Sequence, residues 1–149
     1  MLSANCQGLR DFKKRVDVIQ YFKETGAHII CLQDTHLTEK DTQKFCNIWP
    51  GKFYLRGKTT NSRGVAVLFS KTFEFKVKSV NNDKDGNLLH LDIEISDNKI
   101  KLVNIYAPNI DSPGFFRNIE NLLLQPQTSY DFTIICGDFN LVLDPVKDT

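Results

Sequence analysis

The chain has 149 residues, of which 41% are hydrophobic, 25% charged and 11% aromatic, and its formal net charge is +1. A chain of this length can bury its own core, so we predict one domain over residues 1–149. The balanced charge argues against a uniformly basic nucleic-acid binder. No apolar run approaches the roughly 20 residues that a membrane-spanning helix needs, so we predict no membrane association.

The four cysteines are Cys6, Cys31, Cys46 and Cys136, and none of them forms a C-x-x-C pair. That spacing argues against a zinc site. Cys31 and Cys136 lie in apolar runs, where a free thiol packs as a small core residue. The N-terminal stretch MLSANCQGLR lacks the basic start and apolar centre of a signal peptide. The sequence therefore predicts a reduced, intracellular protein.

The first third of the chain predicts a strand end at residues 1–5, a helix, a strand at 28–32 and a short helix at 39–47. Phe12, Val16, Ile19 and Phe22 recur at helical spacing after Asp11. Asp11 is typical of an N-cap, and Gly26 is typical of the position that ends a helix.

The middle of the chain is rich in predicted strands, at 52–56, 64–70, 73–80, 88–95 and 99–106. Turn-forming residues at 81–87 and 96–98 indicate antiparallel hairpins on either side of them. Pro113 then predicts the start of a helix that ends before Pro126, and residues 132–136 predict a buried strand. This order of elements favours a mixed α/β layered domain.

Four apolar runs end in polar side chains. These side chains are Asn5 after the first run, Gln33 with Asp34 after the second, Tyr106 with Asn109 after the third, and Asp138 with Asn140 after the fourth. Ligands of open α/β sheets bind beyond the carboxyl ends of strands, so these groups converge if their strands are neighbours. In the stretch IICGDFN we predict a turn at Gly137 that places Asp138 and Asn140 on one side and turns Phe139 toward the core.

Two carboxylates, several amides and one phenol suit a divalent cation and a phosphate ester, because Mg²⁺ prefers hard oxygen ligands. The sequence has no G-x-x-x-x-G-K-[ST] loop and no G-x-S-x-G elbow. Metal-assisted phosphoester hydrolysis is therefore the best chemical fit. Each residue alone also has a structural explanation as a turn former, a helix cap or an edge aromatic.

The remaining charged residues give weaker signals. His28, His36 and His90 are scattered and are expected to be structural or exposed. The cluster Arg10, Lys13, Lys14 and Arg15 is typical of a solvated helix face, with contact to a nucleic-acid backbone as the alternative. The same alternative applies to Lys52, Arg56, Lys58 and Arg63.

Together, the motifs resemble the endonuclease/exonuclease/phosphatase superfamily, and within it the apurinic-type endonuclease domain of non-LTR retrotransposons of the long-interspersed-element kind. The segments that carry this resemblance are SANCQGL, CLQDTHLTEKD, GVAVLFS, VNIYAPN and CGDFN. It implies an α/β fold of four layers, a sandwich of two mixed sheets face to face with helices outside. It also implies a Mg²⁺-dependent endonuclease that nicks DNA, with Mn²⁺ as an alternative cation and a nuclear location that follows from the substrate.

The resemblance assigns a role to each matching position. Asp34 and Asn5 are expected at the metal, and Asn5 and Asn109 next to the substrate. Tyr106 is expected to hydrogen-bond the scissile phosphate, Asp138 to handle the attacking water or the leaving group, and Asn140 to hold a phosphate oxygen. The resemblance implies no oligomeric state.

Two departures from the family pattern stand out. Asp34 occupies a position where the family usually has Glu, so we expect looser metal binding. The chain also lacks the closing Ser-Asp-His of the family, so we expect a C-terminally truncated domain with little activity as an isolated chain. The alternatives are a non-catalytic nucleic-acid-binding or structural remnant, and a phosphatase or exonuclease of the same superfamily.

Overall fold

The structure is a computed structural model that describes residues 1–125 and 129–141. It contains eight strands, three α-helices and a 3-10 turn at Glu39–Asp41. In chain order the elements are β1 (Leu2–Asn5), α1 (Phe12–Thr25), β2 (Ile29–Gln33), α2 (Thr42–Cys46), β3 (Phe53–Arg56), β4 (Val65–Phe69), β5 (Lys76–Asn82), β6 (Leu88–Ile95), β7 (Asn98–Tyr106), α3 (Pro113–Leu123) and β8 (Phe132–Asp138).

The first sheet has the strand order β1-β2-β4-β3. β1 and β2 run parallel, whereas β4 is antiparallel to both β2 and β3. The parallel pair is possible because α1 crosses between its strands. The helix is capped as predicted, since Asp11 accepts a hydrogen bond from the Lys14 amide at 2.8 Å and Gly26 ends it in the left-handed conformation with φ 66°.

The second sheet has the order β5-β6-β7-β8. β5, β6 and β7 form the two predicted antiparallel hairpins, and β8 joins β7 in parallel after α3. Both sheets are therefore mixed. Among the described residues, no helix is long and apolar enough to cross a bilayer.

Three apolar clusters divide the protein into four layers. α1 and α2 pack on the outer face of the first sheet through residues such as Ile19, Phe22 and Phe45. Between the sheets, Val67 and Phe69 meet Leu91 and Leu102. α3 covers the outer face of β7 through Ile119, which packs against Val103 and Ile105. This arrangement confirms the predicted α/β sandwich of two mixed sheets with helices outside.

The structure corrects the prediction for the stretch around Gly137. The strand does not turn at Gly137 but continues through Asp138, and Phe139 is exposed rather than turned toward the core. Gly137 stays in the ladder with φ 141°, a conformation that glycine adopts without strain. A Cβ at this position would lie 1.9 Å from the carbonyl oxygen of Ile105. The close approach of β8 to β7 therefore requires glycine.

The helix α1 also departs from its predicted pattern at two positions. Phe12 is exposed, although it shares the spacing of the buried positions. Arg15, predicted to lie on a solvated basic face, is 5% exposed and donates from Nη1 to the carbonyl oxygens of Leu9 and Arg10. Its side chain ties the loop after β1 to the helix, so it is a structural residue.

Candidate active site

The carboxyl ends of β1, β2, β7 and β8 meet at one edge of the sandwich, which we call the rim. Asn5 lies opposite Gln33 in the first sheet, and Tyr106 lies opposite Asp138 in the second. The strands of the predicted site thus belong to two sheets rather than to one open sheet. Their polar ends still converge, because the two sheets pack face to face.

A direct hydrogen bond joins the sheets at the rim. Asn5 donates from Nδ2 to Oδ2 of Asp138 at 2.8 Å, across 133 positions of sequence. The Asn5 amide is itself oriented by the Gln7 backbone N–H, which donates to Oδ1 at 2.9 Å. Asp138 Oδ1 accepts from the backbone N–H of Asn140 at 3.0 Å. Both oxygens of Asp138 are therefore held in place by donors.

Asn140 is anchored to the chain segment that follows β7. Its side chain donates from Nδ2 to the carbonyl oxygen of Ala107 at 2.6 Å. Because Ala107 directly follows Tyr106, this bond fixes the loop after β8 against the end of β7. The Ala107 N–H donates to the Asp138 carbonyl oxygen at 2.8 Å, which closes the connection.

Asp34 belongs to the part of the rim formed by the first sheet, because it directly follows β2. Its side chain is 16% exposed. His36 donates from Nε2 to Asp34 Oδ1 at 3.0 Å, and the Arg63 backbone N–H donates to the same oxygen at 3.2 Å. The His36 ring lies over Gly8, where a Cβ would come within 2.7 Å of Nδ1. Glycine at position 8 thus makes room for the histidine that braces Asp34.

Tyr106 ends β7 opposite Asp138, and its phenol is half-buried at the rim. Burial raises its pKa above the ordinary value, and the negative charges of Asp34 and Asp138 raise it further, against smaller opposing effects of Arg63 and Asn140. The phenol is therefore a neutral O–H donor throughout the physiological range. Asp34 follows Gln33, which lies opposite Asn5, and Asn5 hydrogen-bonds Asp138, so Asp34 and Asp138 lie at the same edge of the protein.

The backbone at the rim is strained. Left-handed φ angles between 45° and 62° occur in five of its non-glycine residues, namely Gln7, Asp34, His36, Arg63 and Asn140. Such conformations are uncommon outside glycine and persist only where the surrounding structure enforces them. Here the loops enforce them on one another, since Gly8 N–H donates to the Asp34 carbonyl oxygen at 2.7 Å and His36 N–H to that of Arg63 at 2.8 Å.

Below the rim, a buried amide network joins the two sheets. Gln33 donates from Nε2 to Asn104 Oδ1 at 2.8 Å and to Ser3 Oγ at 3.0 Å. Asn104 donates from Nδ2 to the carbonyl oxygens of Leu32 at 3.0 Å and Ala66 at 2.9 Å. Gln33 and Asn104 are almost completely buried, so these bonds fix the spacing of the sheets beneath Asp34 and Tyr106.

Asn109 lines a cleft of about 610 Å³ at the rim together with other predicted site residues. Its lining also includes Asn5, Asp138 and Asn140. Asn109 itself is exposed and makes no hydrogen bond within the described part of the chain. The structure thus brings together all six predicted site residues at one edge, while their individual roles stay predictions.

Sequence reasoning missed several contributors to this site. His36 was expected to be structural or exposed, yet it contacts Asp34 directly, and its position two residues after that carboxylate was the available signal. Gln33 was named only as a polar strand end without a role, and Asn104 was not singled out. They are polar residues at inward-facing positions of otherwise apolar strands, a pattern that indicates a buried polar network.

The carboxylate and amide oxygen atoms at the rim are suitable ligands for a divalent cation of the magnesium type. Among the described residues, no three His, Cys, Asp or Glu side chains are grouped as a metal cluster. Mg²⁺ does not need such a cluster, because it is usually bound by one or two carboxylates and several waters. Both hydrogen bonds that Asp34 accepts within residues 1–125 and 129–141 go to Oδ1, which leaves Oδ2 available.

Comparison with known proteins assigns the chain to a family. The model of the Endonuclease/Exonuclease/phosphatase family matches residues 2–146. A transposon TX1 uncharacterized 149 kDa protein of Xenopus laevis is 33% identical over 142 residues, which is 94% of this chain and 11% of that protein. The transposon relative agrees with the retrotransposon resemblance of the sequence motifs.

Solved structures agree at the level of the fold. The AP endonuclease LMAP from Leishmania major superposes with a TM-score of 0.69 at 17% identity, over 92% of this chain and 53% of that one. D. rerio TDP2 complexed with a single-strand DNA product superposes with a TM-score of 0.70 at 17% identity, over 95% of this chain and 60% of that one. The chain thus spans less than two thirds of the length of each of these proteins.

Proposed function

Because the chain belongs to the Endonuclease/Exonuclease/phosphatase family, we propose that it is a Mg²⁺-dependent phosphodiesterase domain that nicks DNA. The family fold is that of nucleases and phosphodiesterases. The hydrogen bond between Asn5 and Asp138 carries the proposal, because it joins the first and last described strands into one polar site. An intracellular, nuclear location belongs to the same proposal, since DNA is the substrate.

Asp34 and Asn5 are the residues proposed to hold the cation. Members of the family generally depend on a divalent metal, so Mg²⁺, or Mn²⁺ in its place, is expected here. When bound, the ion would supply positive charge that offsets negative charge developing on the phosphate in the transition state. His36 and the Arg63 N–H keep Asp34 in one orientation, and Gln7 does the same for Asn5.

Asp138 is proposed to orient the attacking water and to accept its proton. Its carboxylate is held by Asn5 on one oxygen and by the Asn140 N–H on the other, so it does not need to reorganise when a substrate binds. Positioned proton transfer of this kind contributes about 100-fold to 10,000-fold in rate.

Tyr106 and Asn140 are proposed to hold the phosphate. The raised pKa of Tyr106 keeps its hydroxyl protonated, so it donates a hydrogen bond to a phosphate oxygen at neutral pH. The Asn140 amide faces the same cleft as Asp138 and Asn109. A rigid set of donors aimed at the phosphate stabilises the charge that develops there.

A second cleft of about 740 Å³ extends the rim and offers a path for a nucleic-acid strand. Arg63 and Lys84 line it with several amides, among them Asn87, Asn118 and Asn121. The two acidic residues that also line the cleft are already engaged, because Asp83 accepts hydrogen bonds from the Asn87 and Leu88 N–H groups and Asp85 pairs with Lys58 at 2.9 Å. Within the described residues the Lys84 ammonium has no ion pair, and Arg63 donates one of its guanidinium N–H groups to Asn87 Oδ1 at 3.2 Å and keeps the others for a phosphate backbone.

The proposal is tested by nicking of supercoiled plasmid with Mg²⁺ and with Mn²⁺. Asp138→Asn is expected to lower the nicking rate by about 100-fold or more, since it removes the proton acceptor. The matched control is Asp97→Asn, an exposed residue of the hairpin turn at the opposite end of the sandwich, which should nick like the parent chain. Robust nicking by Asp138→Asn would refute the assignment.

The isolated chain is expected to nick weakly, because it spans 53% of the AP endonuclease LMAP and 60% of D. rerio TDP2. Appending the C-terminal part of a complete relative should raise the rate if the rim is intact. Asp34→Glu in that longer protein is expected to raise the rate or tighten Mg²⁺ binding, because it restores the reach that the family usually has. DNA binding without any product in all of these proteins would favour a binding remnant instead.

The second cleft is tested by the salt dependence of DNA binding. Lys84→Gln should weaken binding to oligonucleotides of different sequence alike and reduce the salt slope by about one unit. Lys71→Gln is the matched control, because Lys71 follows β4 at the end of the sandwich opposite the rim. Equal effects of the two substitutions would contradict a path through this cleft.

A further inference from the structure

A buried asparagine in the loop between β5 and β6 connects the second cleft to the rim. Asn87 is 2% exposed, and each of its polar groups has a partner. Its backbone N–H donates to Asp83 Oδ1 at 2.9 Å, and its carbonyl oxygen accepts from the Tyr106 N–H at 2.8 Å. Its side chain donates from Nδ2 to the Tyr106 carbonyl oxygen at 2.6 Å and accepts from Arg63 Nη1 at 3.2 Å. Asn87 therefore holds both the end of β7 and the Arg63 guanidinium.

Arg63 itself takes part in two regions of the molecule. Its backbone N–H donates to Asp34 Oδ1 at 3.2 Å at the rim, whereas its side chain lines the second cleft. The residue is exposed, and its φ of 62° is left-handed. Because Asn87 bonds both the guanidinium and Tyr106, the positive charge of Arg63 is held beside the end of β7.

The loops that carry Arg63 and Asn87 are packed backbone against backbone. The Gly64 N–H donates to the Gly86 carbonyl oxygen at 3.0 Å. A Cβ on Gly86 would lie 3.0 Å from the Gly57 Cα and 3.2 Å from the Gly64 nitrogen, so a larger residue would force the loops apart. The backbone therefore sets the position of Arg63 relative to Asn87.

The contacts of Asn87 do more than close a loop. Its bonds to Tyr106 continue the ladder of β6 and β7 by one residue beyond the pair of Leu88 and Ile105, which is a structural role. The bond from Arg63 adds nothing to that ladder. It orders a long, exposed side chain, which costs conformational entropy, and it aims the remaining N–H groups of the guanidinium. This second contact points to a role in binding.

We propose that Asn87 is a positioning residue that keeps the Arg63 guanidinium in register with Tyr106, so that the site takes a polynucleotide strand by two of its phosphates. This inference rests on the proposed function, in which Tyr106 holds the phosphate that is cleaved. Arg63 then holds a neighbouring phosphate of the same strand in the second cleft. A guanidinium is suited to this task, because its fixed fork of N–H donors matches two phosphate oxygens. The favoured substrate is a phosphodiester beside another charged phosphate, and not an isolated phosphate ester.

The first test measures the affinity of the 149-residue chain for a labelled oligonucleotide without metal. Arg63→Gln should weaken binding by about 10-fold and reduce the salt slope by about one unit. Arg63→Lys keeps the charge but loses the fork and the bond to Asn87, so it should weaken binding nearly as much. Full affinity in Arg63→Lys would overturn the positioning role, and this variant leaves the buried asparagine intact.

The double variant separates positioning from a general structural role. Asn87→Ala should weaken binding on its own but should add little in the Arg63→Gln background, because it acts through the guanidinium. Its effect should instead add to that of Lys84→Gln, since Lys84 lines the same cleft without a bond to Asn87 within the described residues. Additive losses for Asn87→Ala and Arg63→Gln would overturn the proposal.

The second test replaces single phosphates beside the cut with uncharged methylphosphonates and measures nicking. One neighbouring position should slow the parent chain by about 10-fold and should leave Arg63→Gln without further loss. Lys71→Gln is the control and should keep the parent pattern. A chain that shows the binding results but does not nick would refute the nuclease function alone. A chain that nicks without any sensitive neighbouring position would refute this inference alone, and a chain that does not bind DNA would refute both.

Discussion

The two sheets contain four strands each, but they are supported differently. β2 and β4 of the first sheet are buried along their whole length, with α1 and α2 on the outside and the second sheet on the inside. In the second sheet the edge strands β5 and β8 alternate between exposed and half-buried residues. α3 packs against the outer face near β7 through Ile119. The strand β2 that leads to Asp34 is thus held by continuous apolar packing, and the edge strand β8 that carries Asp138 is not.

This difference matters for the site, because one carboxylate belongs to each sheet. Asp34 follows the well-packed strand β2, whereas Asp138 ends the half-exposed strand β8. The position of Asp138 therefore depends on a few specific contacts, namely the Asn5 hydrogen bond, the close approach at Gly137 and the network around Asn104. Apolar truncations should harm the first sheet most, and changes to these contacts should harm β8.

The largest effect is expected for Phe69→Ala. Phe69 is fully buried and stacks on Phe75 with ring centroids 3.9 Å apart. Truncation should lower the free energy of unfolding by about 3 to 5 kcal/mol, the usual range for a core phenylalanine. Phe132→Ala on the exposed side of β8 is the control and should cost about 0.5 kcal/mol or less, since Phe132 is 57% exposed. Equal losses in urea denaturation would contradict the comparison of the sheets.

Gly137→Ala should follow, at about 3 kcal/mol, because the new Cβ must displace the Ile105 carbonyl or the strand itself. Hydrogen exchange should show lost protection confined to β7 and β8. Gly114→Ala is the matched substitution in α3, where a Cβ meets nothing within 4 Å. There the change should be neutral or stabilising, because alanine favours a helix. A stable, fully protected β8 in Gly137→Ala would show that the close approach is dispensable.

Asn104→Ala should cost about 2 kcal/mol, because it leaves the Leu32 and Ala66 carbonyl oxygens and the Gln33 amide without this partner in a buried place. Asn98→Ala, at the exposed start of the same strand, is the control and should change stability little. The two values are compared by chemical denaturation. If they agree, the amide network does not couple the sheets.

The smallest effect is a pH dependence on the outer face of the second sheet. Burial raises the pKa of the Asp92 carboxyl, but hydrogen bonds from Ser79, Tyr130 and His90 outweigh burial and leave the pKa below its ordinary value. The folded pKa is therefore lower than the unfolded one. The resulting stability is complete above the unfolded pKa, near 4, and is lost as the pH falls through the folded pKa.

Asp92→Asn should remove this contribution, on the order of 1 kcal/mol at neutral pH, and should flatten the loss of stability on acidification. The measurement is the unfolding midpoint in urea as a function of pH between about 6 and 2. An unchanged acid profile in the variant would mean that other carboxylates carry the dependence. The exposed Asp97→Asn serves as the reference for the loss of one charge.

Much of the fold could be predicted because its signals are local. The spacing of apolar residues placed α1 and most strands, and Asp11, Gly26 and Pro113 gave the helix ends. The strand at 73–80 was placed too early, since β5 is Lys76–Asn82. The apolar residues Phe73 and Phe75 pack into the core from the loop before the strand. Their burial therefore does not indicate a strand, although apolar residues at alternate positions predict one.

The site was partly predictable for the same reason. Polar residues at strand ends can be seen in the sequence, and the motif resemblance named Asn5, Asp34, Tyr106, Asn109, Asp138 and Asn140. The support around them could not be seen. Gln33 and Asn104 meet across the two sheets, and Arg15 resembles an ordinary charge of a solvated helix face.

By itself, the sequence determined the order of elements, the helix caps, the strand ends that carry polar groups and the family. Only the tertiary structure decided that Asn5 meets Asp138 and that Gln33 meets Asn104. The reason is that caps and periodic patterns act over a few neighbouring residues, whereas these pairs are formed by the packing of two sheets whose contacting residues lie far apart in the chain.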